Sequence, residues 1–146
     1  MSTGADDVVR DYYDALRRGE SLEPYFLEAD ATVKFGIGEA LFGSDAVADA
    51  LRSQTETTDE WSVESGNLVV EQREAFATFA DEVAMAWTDT ESGARHRFDS
   101  RWSGTLVPAE RASSAGSGAA ESTEPSPDTT PDWLFASMHV SAPHDL

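Results

Sequence analysis

The sequence predicts an α+β fold, with N-terminal helices packed on a curved antiparallel sheet. Three observations carry that expectation. Apolar residues recur at helical spacing near the N-terminus and again across residues 44–54. From about residue 60 the pattern changes to long Trp- and Val-bearing runs broken by turn residues. At 146 residues the chain has the length of one domain that buries a core without cross-links. Helices first and strands afterwards is the order that gathers helices on one face of a sheet.

Each element has its own signal. In "TGADDVVRDYYDALRRGE", Val8, Val9, Tyr12, Tyr13 and Leu16 fall on one helical stripe. Asp6 and Asp7 complement the positive start of the helix dipole, Arg17 and Arg18 its negative end, and Gly19 supplies a left-handed stop. "SLEPYFLEA" reads as a short second helix with Pro24 in its first turn. "ATVKFGIG" reads as a strand, and "SDAVADALRSQ" as a third helix capped by Ser44, with Val47, Ala50 and Leu51 inward. "EWSVESGNLVVEQ", "AFATFADEVAMAWTDTE", "ARHRFDSRWSGTLV" and "WLFASMHVS" follow as strands, with a turn at Glu91, Ser92 and Gly93.

Residues 109–131, "AERASSAGSGAAESTEPSPDTTP", contain no Leu, Ile, Val, Met or aromatic side chain. Such a segment buries too little to offset its ordering entropy and reads as a disordered, solubilising loop. Lengthening a loop costs only about 0.6 kcal/mol per doubling, so the insertion is cheap. Residues 1–146 are therefore expected to form a single domain with one low-complexity insertion.

Charge narrows the function. The chain holds 28 acidic and 10 basic residues, a formal −18, and Lys34 is its sole lysine. A surface this acidic repels phosphate backbones, which argues against a nucleic-acid partner. Four Trp, seven Phe and three Tyr at periodic positions argue against wholesale disorder. Acidic, lysine-poor composition with an ordinary core matches a salt-adapted cytoplasm, as in a halophilic archaeon, where ionic strength screens self-repulsion. The absence of cysteine excludes disulfides, thiolate metal sites and cysteine nucleophiles. No apolar run approaches the roughly 20 residues that span a bilayer, and "MSTGADDVVR" lacks the plan of a signal peptide. A cytoplasmic protein with no membrane partner is expected.

Four stretches resemble the nuclear transport factor 2-like (NTF2-like, cystatin-like) superfamily, and within it the SnoaL-like domains. They are "VVRDYYDALRRGESLEPYFLEADATV", "GIGEALFGSDAVADAL", "RWSGTLV" and the closing "WLFASMHVSAP". In order they run from the first helix to the closing strand and cover about half of the residues outside the insertion. The resemblance implies a cone whose sheet and helices enclose a pocket, commonly in a homodimer through the sheet. Superfamily members include enzymes, binding modules and oligomerisation domains, so the fold leaves function open.

The closing strand suggests a site. By simple alternation Trp133, Phe135, Ser137, His139 and Ser141 share one face, and Leu134, Ala136, Met138 and Val140 the other. A strand apolar on both faces is buried on both, which puts His139 inside a pocket or an interface. Arg101 shares a face with Arg97, Asp99, Ser103 and Thr105, away from the helices by parity, although a bulge would switch it. A buried arginine needs a carboxylate or an anionic ligand, and Glu39 is the intramolecular candidate. The expected pocket has walls from Tyr13, Phe35, Trp61 and Trp87 and polar contacts from His139, Arg101 and Glu39.

Chemistry is harder to assign. The resemblance to ketosteroid isomerase-like members aligns Tyr12 with an oxyanion tyrosine but puts Phe35 where their base belongs, and phenylalanine abstracts no proton. For a SnoaL-type cyclase, Asp99 is the candidate acid or base. His96 and His144 read as surface residues, so no metal site is expected. "GIGEALFG" has the wrong spacing for a dinucleotide loop, and no serine sits in a nucleophile elbow, so no cofactor is expected. Three readings follow. The first is a binding protein for a small apolar or anionic molecule. The second is an isomerase, cyclase or hydratase using His139 or Asp99, and the third is a structural dimerisation domain.

Overall fold

The computed structural model describes residues 4–109 and 131–143. These form α1 (Ala5–Arg18), a 3-10 turn (Glu23–Tyr25), β1 (Val33–Gly36), β2 (Glu39–Phe42) and α2 (Ser44–Thr57). The strands β3 (Thr58–Ser65), β4 (Val69–Gln72), β5 (Ala77–Asp89), β6 (Arg95–Pro108) and β7 (Trp133–Ser141) follow. They make one sheet in the order β2-β1-β7-β6-β5-β3, with β4 also on β5. The α+β arrangement is the expected one, helices against one face of a sheet.

The sheet is mixed, however, not wholly antiparallel. β1 runs parallel to β7, while the other pairs are antiparallel. A parallel pair needs a long connection, and nearly the whole chain lies between these two strands.

Local physics explains most boundaries. The stripe of α1 is buried as expected, and Gly19 at φ +69° ends the helix, with the N–H of Glu20 donating to the Ala15 carbonyl at 2.9 Å. The second predicted helix is only the 3-10 turn around Pro24. Gly43, at φ +94°, takes the N-cap position expected for Ser44. The Ser44 hydroxyl instead accepts the N–H of Ala29 at 3.0 Å and pins the loop before β1. "EWSVESGNLVVEQ" is two strands because Gly66 breaks it. The Gly66 N–H donates to the Glu82 carbonyl at 2.7 Å, and a Cβ there would lie 3.0 Å from that oxygen.

The inner face of the sheet meets the helices. Tyr12 packs edge-on against Phe135 at 5.3 Å and Tyr13 against Trp102 at 5.3 Å, with Phe26, Phe79 and Leu106 completing the centre. One irregularity decides which residues belong to that face. Opposite Thr105 and Leu106 the partners on β7 are Ser137 and Phe135, so Ala136 is an extra, bulged residue. The bulge switches parity midway along β7. Trp133 and Phe135 before it, and Met138 and Val140 after it, all face inward and are buried.

Most of the expected insertion, residues 110–130, lies outside the described residues. At its edges the Ala109 N–H donates to the Asp132 carbonyl at 2.8 Å, so β6 and β7 end side by side. No described helix is long and apolar enough to cross a membrane.

Candidate functional site

A cavity of about 380 Å³ lies between α1, α2 and the inner face of the sheet. Its body is apolar, from Leu16, Met85, Trp102, Met138 and Val140. Near Trp61, Trp87 stacks with it at 4.8 Å between ring centroids and 21° between planes, and with Phe98 at 5.6 Å. The Trp61 indole N–H donates to Thr58 Oγ1 at 2.8 Å and that of Trp102 to Ser100 Oγ at 2.9 Å. Both rings therefore offer the cavity hydrocarbon faces and keep their donors for the protein. Ser53, Gln54 and Thr57 of α2 line another side.

The charged feature of the wall is a pair on the β1–β2 hairpin. Lys34 Nζ donates to Glu39 Oε2 at 2.8 Å, with the side chains 8 % and 37 % exposed. The lysine is embedded in the wall, and the carboxylate is partly exposed. Two glycines make this possible. Gly38 takes φ +81° in the hairpin turn. Gly36 has no Cβ, and one there would lie 2.6 Å from Glu39 Oε2, so its bare backbone lets Glu39 lie across β1 to reach Lys34.

Tyr12 adds a neutral donor. It is 2 % exposed, lines the cavity, and its hydroxyl has no hydrogen-bond partner among the described residues. Burial, and then the Glu39 carboxylate, push its pKa above the ordinary tyrosine value, so it stays protonated at neutral pH. A buried hydroxyl without a partner wants an acceptor. Among the described residues no three His, Asp or Glu side chains gather as metal ligands.

The residues singled out from sequence divide between two faces. Glu39, Trp61 and Trp87 line the cavity. His139 does not. The Ala136 bulge turns it to the outer face, where it is exposed and meets Phe35 edge-on at 5.7 Å. Phe35 follows it outward because β1 pairs Phe35 with His139 and Lys34 with Met138. Arg101 is exposed on the same outer face, as β6 parity indicates, and shares a groove with Ser103, His139 and Ser141. Glu39 therefore pairs with Lys34, not Arg101. Asp99 also lies exposed on the outer face. Tyr13 is buried in the core, its hydroxyl donating to Asp81 Oδ2 at 2.9 Å. Asp81 also accepts the Asn67 N–H at 2.8 Å, so Tyr13 is structural.

Lys34 is the cavity-lining charged residue that the sequence pattern did not point to. Val33 and Phe35 flank it, and alternation would turn those two inward and the lysine out. Its rarity was the available signal.

No family model matches the chain, and no curated protein sequence matches it. Solved structures do. A nuclear transport factor 2-like superfamily protein from Salmonella enterica serovar Typhimurium is similar at a TM-score of 0.69 and 12 % identity, over 95 % of this chain and 88 % of that one. A provisionally assigned dehydratase of the NTF2-like family from Streptomyces avermitilis gives 0.71 and 14 %, over 96 % and 94 %. A ketosteroid isomerase-like protein from Erwinia carotovora atroseptica gives 0.64 and 17 %, over 96 % and 94 %. The chain has the NTF2-like fold.

Proposed function

We propose that this NTF2-like chain is a salt-adapted, SnoaL-like binding protein for a small molecule with an apolar, ring-bearing body and one polar or anionic group. The observation that carries this reading is the composition of the cavity. Indole faces and methionines line it together with a limited set of polar side chains, Lys34, Glu39 and Tyr12 and, from α2, Ser53, Gln54 and Thr57, which is the usual form of a small-molecule site. A volume of about 380 Å³ suits a ligand of one or two rings.

The test uses the tryptophans as reporters. Hydrocinnamate and hydrocinnamyl alcohol, an acid and a neutral analogue with one ring each, are titrated against intrinsic fluorescence and melting temperature. Quenching with a rise in melting temperature is expected from both, more strongly from the acid, and Trp61→Leu weakens both responses. Unchanged fluorescence and melting up to millimolar ligand would remove the cavity as a binding site.

A catalytic reading draws support from one observation. A protonated donor, Tyr12, and a carboxylate, Glu39, line the same cavity, the pairing that isomerisation or dehydration requires. The acids and bases first considered, His139 and Asp99, are on the other face. We also infer a homodimer through the outer face, on the ground that Phe42 is 67 % exposed there, edge-on to Phe35 at 5.6 Å.

A further inference from the structure

We infer that the molecule taken into the cavity is an aldehyde or ketone, and that Lys34 captures it as an imine. This rests on the cavity being a ligand site and names the chemistry of that ligand.

Three observations point the same way. Lys34 is the only side-chain amine of the chain, and every other basic residue is an arginine. A cation whose sole task is to pair with Glu39 could equally be an arginine. A guanidinium does not give up its proton in proteins, whereas a lysine amine does and then adds to carbonyl carbon. This chain has placed its one such group at 7 % exposure in the wall of the cavity. Second, a proton acceptor is already in contact, Glu39 Oε2 at 2.8 Å from Nζ. Third, buried Tyr12 lines the same cavity, and its hydroxyl has no hydrogen-bond partner among the described residues.

The step balances within these three groups. Glu39 takes one proton from the Lys34 ammonium. The freed Nζ lone pair attacks the carbonyl carbon, the C=O π electrons move to oxygen, and Tyr12 donates a hydrogen bond to that oxygen. Nζ loses a second proton as the carbinolamine forms, and the oxygen is protonated to a hydroxyl. The Glu39 carboxyl returns its proton to that hydroxyl, which leaves as water while the nitrogen lone pair closes the C=N bond. The product is a protonated imine beside a carboxylate, with no net oxidation or reduction. Water reverses the sequence.

A single lysine makes the test clean. Hydrocinnamaldehyde and sodium cyanoborohydride are added to the folded protein, and the alkylated peptides are located by mass spectrometry. Hydrocinnamyl alcohol, which has no carbonyl, serves as competitor. Lys34 should be labelled faster than the terminal α-amine by on the order of tenfold or more, because the cavity holds the aldehyde against Nζ. The alcohol should suppress labelling at Lys34 and leave the α-amine unaffected. Tyr12→Phe and Glu39→Gln, each checked for a native melt, should label Lys34 several-fold more slowly while the rate at the α-amine is unchanged. Labelling of Lys34 no faster than the α-amine, with the alcohol still quenching wild type, would overturn the imine and leave the binding site standing. No labelling and no quenching would remove both. Wild-type labelling rates in both variants would overturn the proton route through Glu39 and Tyr12.

Discussion

Tyr12 and Tyr13 stand side by side on α1 with opposite hydrogen-bonding. Tyr13 donates to the buried Asp81 carboxylate at 2.9 Å, and Tyr12 donates to no described residue. Tyr13→Phe leaves Asp81 with only the Asn67 N–H, and should cost about 1–3 kcal/mol in a urea titration. Tyr12→Phe removes a hydroxyl that has no partner among the described residues, and should stay within about 0.5 kcal/mol of wild type. Burial is the leading cause that raises both tyrosines above their ordinary pKa of 10.0, followed by Glu39 for Tyr12 and Asp81 for Tyr13. A group raised on folding contributes stability below its unfolded value and loses it as pH rises above that value. The melting temperature should therefore hold up to about pH 10 and fall beyond it, less steeply in Tyr12→Phe. A fall of equal steepness in both proteins would refute the part assigned to Tyr12. That these two tyrosines face the core was legible from the stripe of α1. Which of them meets a cavity depended on Asp81, 68 residues away from Tyr13 in sequence.

At the level of elements, the bulge in β7 determines the site. It sits beside Gly104 of β6, where a Cβ would collide with the Ser137 carbonyl and come within 2.9 Å of Phe79 Cε1. The bare glycine lets β7 press close as it changes parity. Gly104→Ala should therefore cost at least the roughly 1–3 kcal/mol of an overpacked core. A urea midpoint within experimental error of wild type would show that the strands part without penalty. Elements with a long, regular period were readable from sequence, as α1, β5 and β6 were. The division of β3 from β4 was not, because it rests on one glycine meeting the Glu82 carbonyl of another strand. The bulge was not readable either, because Trp133–Ala136 are apolar at every position and hide where the parity changes.

For the molecule as a whole, charge dominates. A formal −18 on 146 residues repels itself across a Debye length of about 30 Å at 0.01 M salt and about 3 Å at 1 M. The melting temperature should climb steeply with added KCl, and a flat profile from low to molar salt would refute salt adaptation. Sedimentation across the same series tests the outer-face dimer. A dimer that tightens as salt rises is expected, since screening removes repulsion between two acidic subunits. A monomer at micromolar concentration in molar KCl would leave the outer face unpartnered.

What the sequence determined by itself is what depends on neighbours along the chain and on composition. The helical stripe and its glycine stop, the α+β order, the acidic surface and the lack of cysteine chemistry are all of that kind. What only the tertiary structure decided is which side of the sheet each polar residue occupies. His139 and Phe35 face outward, where Arg101 already stood by its parity, Lys34 and Glu39 face the cavity, and the parallel docking of β1 on β7 carries the lysine in. The physical reason is the two-residue period of a strand. One bulged residue reverses everything beyond it, and the contacts that hold the bulge come from strands distant in sequence.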